Sequence, residues 1–151
     1  MYNPLEAPLH KLEAAAEAAA ASLLPVIGTA AVNDAKENFR RQGFAGAPWA
    51  SRKTDGKKDK GRAILVKTGH LRNSIRIVSI GSASVTIGTD VPYARIHNEG
   101  ESDYVRSSRG TFGTPHYRIM PRRQFLGLND GLKSELHELI REHIQEALKT
   151  V

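Results

Sequence analysis

The sequence predicts an α+β fold: a long N-terminal helical segment and a C-terminal amphipathic helix packed against a small antiparallel sheet, with two long loops. Three observations carry that expectation. Strong helix formers fill Leu5 to Leu24, apolar residues recur at helical spacing from Leu132 to Leu148, and two β-branched runs, Ile75 to Ile80 and Ala83 to Thr89, flank a Gly81-Ser82 turn. With 151 residues and 40% hydrophobic composition, the chain holds enough apolar side chain for one modest core, so residues 1–151 are expected to form a single domain.

Taken in order, Leu5, Leu9, Leu12 and Ala16 fall on one helical stripe, and residues 1–25 are expected as a helical extension that breaks or kinks at Pro25. The helical pattern resumes with Ile27, Ala31, Ala35 and Phe39 and ends in Arg40-Arg41, with Gly43 as its stop. Residues 43–63 are glycine-rich and lysine-rich and read as an extended loop with one anchor, Trp49. After the predicted hairpin, Pro92 to Asn98 reads as a helical turn closed by Gly100. Residues 101–117 then form a second extended loop, with His116 to Met120 a short strand before Pro121. The last helix starts near Asn129 or Asp130 and carries Leu132, Leu136, Leu139, Ile140, Ile144, Ala147 and Leu148 on its buried stripe.

The composition excludes several kinds of chemistry. No cysteine is present, so disulfides and thiolate metal sites are ruled out. The histidines do not fall in a His-Glu-x-x-His spacing, and His137 and His143 point about 240° apart on a helix. His97, Glu99 and His116 superficially suggest a metal nuclease, but a hydrogen-bonded structural histidine is the favoured reading. Neither a Gly-x-Ser-x-Gly elbow nor a glycine-rich phosphate cradle occurs, so no cofactor is implied. Glu13 and Glu17 flank and interrupt the alanine-rich run, arguing against the apolar part of a signal peptide, and without an uninterrupted apolar stretch no membrane span is expected.

The net charge of +6 favours anionic partners. Basic residues gather from Arg52 to Arg62 and again at Arg106, Arg109, Arg118, Arg122 and Arg123. Solvated loop charge, or pairing with an acidic neighbouring subunit, is the leading expectation. A basic nucleic-acid-binding protein is the alternative, although few aromatic residues interleave with the charge and no recognition helix accompanies it.

Four strings stand out in a fixed order after Trp49: Leu65-Val66-Lys67-Thr68-Gly69-His70-Leu71-Arg72-Asn73-Ser74-Ile75, then Val85-Thr86-Ile87-Gly88, then Tyr93-Ala94-Arg95-Ile96-His97-Asn98-Glu99-Gly100, then Met120-Pro121-Arg122-Arg123-Gln124-Phe125-Leu126-Gly127. Thr68 can cap a helical turn, Gly69 allows a close approach, Leu71 and Ile75 point inward, and Ser74 can bond backbone. Tyr93 offers a large buried face with a polar tip and His97 can bond through either ring nitrogen. Pro121 fixes the chain and Phe125 and Leu126 enter the core, leaving Arg122 or Arg123 to pair with carboxylates.

From about Ile27 to the C-terminus this set resembles the phage virion-morphogenesis family of tail-completion and head-tail joining proteins, the group that includes the G protein of phage Mu. The sequence departs from the family's pattern in the Arg122-Arg123-Gln124 string and in the length of the 101–117 segment. The resemblance implies a non-enzymatic α+β subunit assembling as a homo-oligomeric ring, such as a hexamer, through head-to-tail contacts. It implies tail-tube or head-portal and connector proteins as partners, no membrane, and DNA passing nearby in the channel. It places the protein in the virion, at the tail or neck, and in the host cytoplasm during assembly. Trp49, Thr68, Gly69, Leu71, Ser74, Tyr93, His97, Gly100, Pro121 and Phe125 are then the framework positions, and Arg106, Arg109, Arg122 and Arg123 the candidate interface.

Overall fold

A computed structural model describes residues 6–52, 61–105 and 116–149 of the chain. The class is α+β. The elements follow as α1 (Glu6–Arg41), β1 (Gly43–Phe44), β2 (Ala47–Pro48), α2 (His70–Ser74), β3 (Arg76–Ile80), β4 (Val85–Gly88), α3 (Ala94–Glu99), β5 (Glu101–Val105), β6 (His116–Met120) and α4 (Asp130–Lys149). The strands pair two by two, β1 with β2, β3 with β4 and β5 with β6, each antiparallel.

The chain divides into two compact units, one made of residues 1–34, 75–88 and 128–151 and the other of residues 35–74 and 89–127.

The first unit is built on α1 and α4. The expected break at Pro25 does not occur, and α1 runs through it for 36 residues, about 54 Å. Proline removes one backbone donor, but the alanine-rich turns before it have the highest helix propensity. Thr29 Oγ1 also donates to the Pro25 carbonyl at 2.8 Å. Helix α4 runs antiparallel to α1, because Ser22 Oγ and His143 Nε2 share a 2.7 Å hydrogen bond while Asn129 Nδ2 donates to Asp34 Oδ2 at 2.9 Å. Asn129 also starts α4 in the way expected, its Oδ1 accepting the Leu132 N–H at 2.8 Å.

By length and composition the Pro8–Arg41 stretch is long and apolar enough to cross a membrane, with a window of mean hydropathy 1.5. The sequence expectation missed this because alanine raises the average without making a long strongly apolar run. Only 17% of that window is buried; Leu24, Ala30 and Val32 are covered, and the β3–β4 hairpin sits on Gly28. A Cβ at Gly28 would lie 2.7 Å from Ile77 Cδ1 and 2.8 Å from Val85 Cγ2. The hairpin is the expected one, its register shifting between Ile77 and Ser79. On α4 only the first part of the apolar stripe is covered. Leu132 is buried and Leu136, Leu139 and Ile140 are half-buried, whereas Ile144 and Leu148 are exposed.

The second unit begins with the last turns of α1. The expected stop at Gly43 is one residue late: Gln42 takes the left-handed conformation, φ 55°. Glycine is the usual choice there because a side chain is strained, but Gln42 recovers the cost with its amide. Its Nε2 donates to the carbonyls of Phe39 at 2.6 Å and Ile64 at 3.2 Å, and its Oε1 accepts from the Ile64 N–H. Gly43 serves the β1–β2 hairpin instead, where a Cβ would stand 2.5 Å from the Ala47 carbonyl oxygen. The 43–63 loop therefore opens with a small ladder, and the 101–117 loop is bounded by one. Glu101–Val105, expected to be unstructured, pairs with His116–Met120. Residues 53–60 and 106–115 of those two loops, with Arg106 and Arg109, lie outside the described residues.

Gly28→Val tests the seating of the hairpin on α1. Three added carbons in a space already closed by Ile77 and Val85 should cost about 1–3 kcal/mol by overpacking, read as a lowered urea midpoint with an unchanged slope. An unchanged midpoint would show that the hairpin does not rest there.

Candidate functional site

Of the strings singled out in the sequence, residues 65–74, 93–100 and 120–127 fall in the second unit, and Ile75 and residues 85–88 in the first; the core of the second unit is aromatic. Phe39, from the end of α1, meets the Trp49 ring edge-on at 5.5 Å and the Phe125 ring at 5.0 Å. All three rings are buried. Trp49 is anchored as expected, its Nε1 donating to the Gln124 carbonyl at 2.7 Å.

The segment from Pro121 to Phe125 has no strand or helix of its own, so its backbone polar groups need partners from elsewhere. The Arg123 N–H donates to the His97 carbonyl at 2.8 Å. Asn98 Oδ1 accepts from both the Phe125 N–H at 3.0 Å and the Leu126 N–H at 2.9 Å. Asn38 Nδ2, on a buried side chain, donates to the Phe125 carbonyl at 3.2 Å. Gly100 closes α3 at φ 77°, and a Cβ there would come within 2.9 Å of the Arg122 backbone nitrogen. Asn98, Asn38 and Gln42 carry this framework and are absent from the positions favoured on sequence grounds. Their signal is an amide side chain among helical residues, which sequence alone cannot distinguish from a solvated one.

The first string is a short helix with a polar latch. Thr68 Oγ1 accepts from the His70 N–H at 3.3 Å, Gly69 takes φ 74°, and the Asn73 N–H donates to the Gly69 carbonyl at 2.9 Å. The φ value, more than close packing, is what Gly69 supplies. Leu71 and Ile75 are buried. Ser74 Oγ donates to the Leu71 carbonyl at 2.8 Å and shares a 2.6 Å hydrogen bond with Thr89 Oγ1.

Two placements differ from expectation. Tyr93 is 44% exposed, its ring standing edge-on to the His97 ring at 6.0 Å. Arg123 is only 6% exposed, so it is not the free surface cation anticipated with Arg122. Its Nε donates to the Ala50 carbonyl at 2.9 Å and its Nη2 to the Ser51 carbonyl at 3.2 Å. It ties down the chain after Trp49 without a carboxylate. Arg122 is exposed and donates to Gln124 Oε1.

These residues border a cleft of about 340 Å³ reached by Lys67, Thr68, His70, Tyr93, His97 and Arg123. His97 Nδ1 is buried there with no hydrogen-bond partner. Burial, and secondarily the charge of Arg123, hold the His97 pKa below the ordinary 6.5, so its imidazole is neutral at pH 7. Among the described residues no three histidine, aspartate or glutamate side chains cluster as a metal site. The cleft presents cationic and hydrogen-bond-donating side chains.

Asn98→Ala leaves two N–H groups without acceptors and should lower stability by about 2–3 kcal/mol, measured by chemical denaturation; a loss within error would show that water replaces the amide. For His97, the folded-state pKa is depressed, so the unfolded chain binds the proton more readily. The stability this histidine contributes is present above its unfolded pKa of about 6.5 and is lost as pH falls below that value. Thermal melts from pH 8 to 5 should therefore fall more steeply for the natural chain than for His97→Gln, and parallel profiles would contradict the assignment.

A model of the phage virion morphogenesis family matches residues 2–145. The match takes in the alanine-rich start of α1, which the sequence resemblance, beginning near Ile27, left out. No curated protein and no solved structure matches the chain. With nearly its whole length matched, the chain belongs to the phage virion morphogenesis family.

Proposed function

We propose that the protein is a structural subunit of a tailed phage that completes the tail or joins head to tail, acting as a homo-oligomeric ring and making or breaking no covalent bond. The family match along residues 2–145 carries this reading. On it, the subunit adds to a finished tail tube or to the head's portal and connector proteins, leaves a channel for DNA, and resides at the tail or neck of the virion after assembly in the host cytoplasm.

The first unit supports a role in self-association. Leu9 is 54% exposed, Leu12 44%, Ile144 48% and Leu148 60%. Leu12, Ala16, Ala19, Leu23, Ile144 and Leu148 line a groove of about 340 Å³ between α1 and α4. Apolar side chains gathered along one groove are a sign of an association surface. Repeated, identical contacts of one surface with another on the next copy close a ring when the rotation closes.

Two measurements test the reading together. Lysates of phage lacking this protein should show separate full heads and tails by electron microscopy, and native mass spectrometry of the purified chain should show a closed oligomer. Normal virions in its absence would end the assembly role. A persistent monomer that binds duplex DNA with steep salt dependence would favour the nucleic-acid-binding alternative.

A further inference from the structure

We propose that the cleft bounded by Lys67, Tyr93, His97, Met120 and Arg123 is a receptor for a carboxylate-bearing side chain of an acidic, partly apolar peptide segment on a partner protein. The proposal goes beyond the assembly reading and does not depend on the ring.

The first argument is the state of Arg123. A guanidinium that is almost fully buried ordinarily has a carboxylate beside it, because desolvating a cation is expensive. Arg123 has two neutral carbonyl acceptors, from Ala50 and Ser51, and the charge of Arg52 acts on it as a second destabilising influence after burial. Among the described residues lining the cleft there is no aspartate or glutamate, while Lys67 and Arg123 border it. Cationic groups held in a half-enclosed space without an anion bind one strongly when it arrives, since much of the desolvation has already been met in folding.

The second argument is His97. Its Nδ1 is buried and unpartnered in a chain whose other described buried side-chain polar atoms have partners. His97 also lines the cleft, and an unsatisfied buried atom calls for an explanation, which a group entering beside the ring would supply. A carboxylate oxygen accepts a hydrogen bond from that nitrogen, and the imidazole can take up a proton once the negative charge is beside it.

The walls decide the kind of anion. Leu65, Leu71, Met120 and Tyr93 contribute apolar surface to the same cleft, and Leu65 is held at φ 61° to stand there. A duplex phosphate backbone is polar throughout and is met by solvated lysines and arginines on an open surface. A cavity of about 340 Å³ with mixed walls fits one acidic side chain with an apolar neighbour.

The test uses the full-length chain with ¹⁵N-labelled histidine and three probes: the blocked peptide acetyl-Ala-Leu-Glu-Leu-Ala-amide, inorganic phosphate, and a short DNA duplex. The peptide is expected to move the His97 ring nitrogen resonances and to bind with Arg123→Gln weakened about thirtyfold or more, the loss typical of removing one partner of a buried charged pair. If Arg123→Gln does not fold, Lys67→Glu, at an exposed position, decides: it should weaken the peptide several-fold with an unchanged melting temperature. Peptide binding that leaves His97 unmoved, or that both variants leave intact, would overturn the site. Tighter binding of phosphate than of peptide, or displacement of the peptide by the duplex, would overturn the carboxylate assignment.

Discussion

The second unit depends on one constraint: an extended segment with no ladder of its own must pass through the core and present Phe125 to Phe39 and Trp49. Every backbone group that it buries would cost about 1–3 kcal/mol if left bare, enough in total to consume the stability of a small domain. The neighbours answer that cost from both sides. Helix α3 supplies the His97 carbonyl and the Asn98 amide, α1 supplies Asn38, and the indole of Trp49 reaches the Gln124 carbonyl. Removing an amide here does more than delete a contact, because it strands a donor or acceptor on a chain that cannot turn toward water. Gly100 must lack a side chain because the Arg122 backbone passes within van der Waals distance of it.

The first unit solves a different problem with different means. Helix α1 is held to the β3–β4 hairpin by a glycine and to α4 by two side-chain hydrogen bonds, Ser22 with His143 and Asn129 with Asp34. Ordering so long a helix is favoured by its alanines, which lose no side-chain entropy, but alanine buries little area and contributes little to packing. The leucines and isoleucines nearer the N-terminus of α1 and the C-terminus of α4 remain largely exposed. A helix pair of this kind gains stability chiefly when something covers it. If that cover is another copy, stability and assembly become linked, and melting depends on concentration.

Much of this was legible from sequence where one residue's local chemistry decides the outcome. Asn129 before an apolar stripe marked the start of α4, Gly100 marked the end of α3, and Gly81-Ser82 between β-branched runs marked the β3–β4 turn. Periodicity located the stripe of α4 but not how much of it is covered, because burial of Leu132 and exposure of Leu148 depend on what lies opposite. Pro25 misled because the expectation weighed one lost backbone hydrogen bond without the long alanine-rich run that carries the helix across it. Gln42 in a left-handed conformation was invisible for a similar reason, its compensation coming from Ile64 far along the chain. Strand β5 has no alternation of its own to announce it, and only pairing with β6 defines it. At the site, the strings were found but their roles were not: arginines in a polar loop look solvated, and the burial of Arg123 is set by the Ala50 and Ser51 carbonyls that Trp49 positions.

On the proposed assembly reading, the burial of Arg123 and the exposure of the apolar groove would meet different needs. Apolar contact between α1 and α4 of one copy and a neighbour would supply affinity, but leucines and alanines slide past one another with little penalty, so such a surface would fix register weakly. A desolvated guanidinium beside an unpaired imidazole behaves in the opposite way. It gains little from any neutral neighbour, is penalised by a cationic one, and is satisfied by an acid at one position only. Geometry of that kind discriminates between partners more than it strengthens any single contact. If the subunit adds once, at one end of a structure built from many similar proteins, as proposed, it would need discrimination at least as much as strength, and a buried guanidinium without a carboxylate would be a physical means of obtaining it.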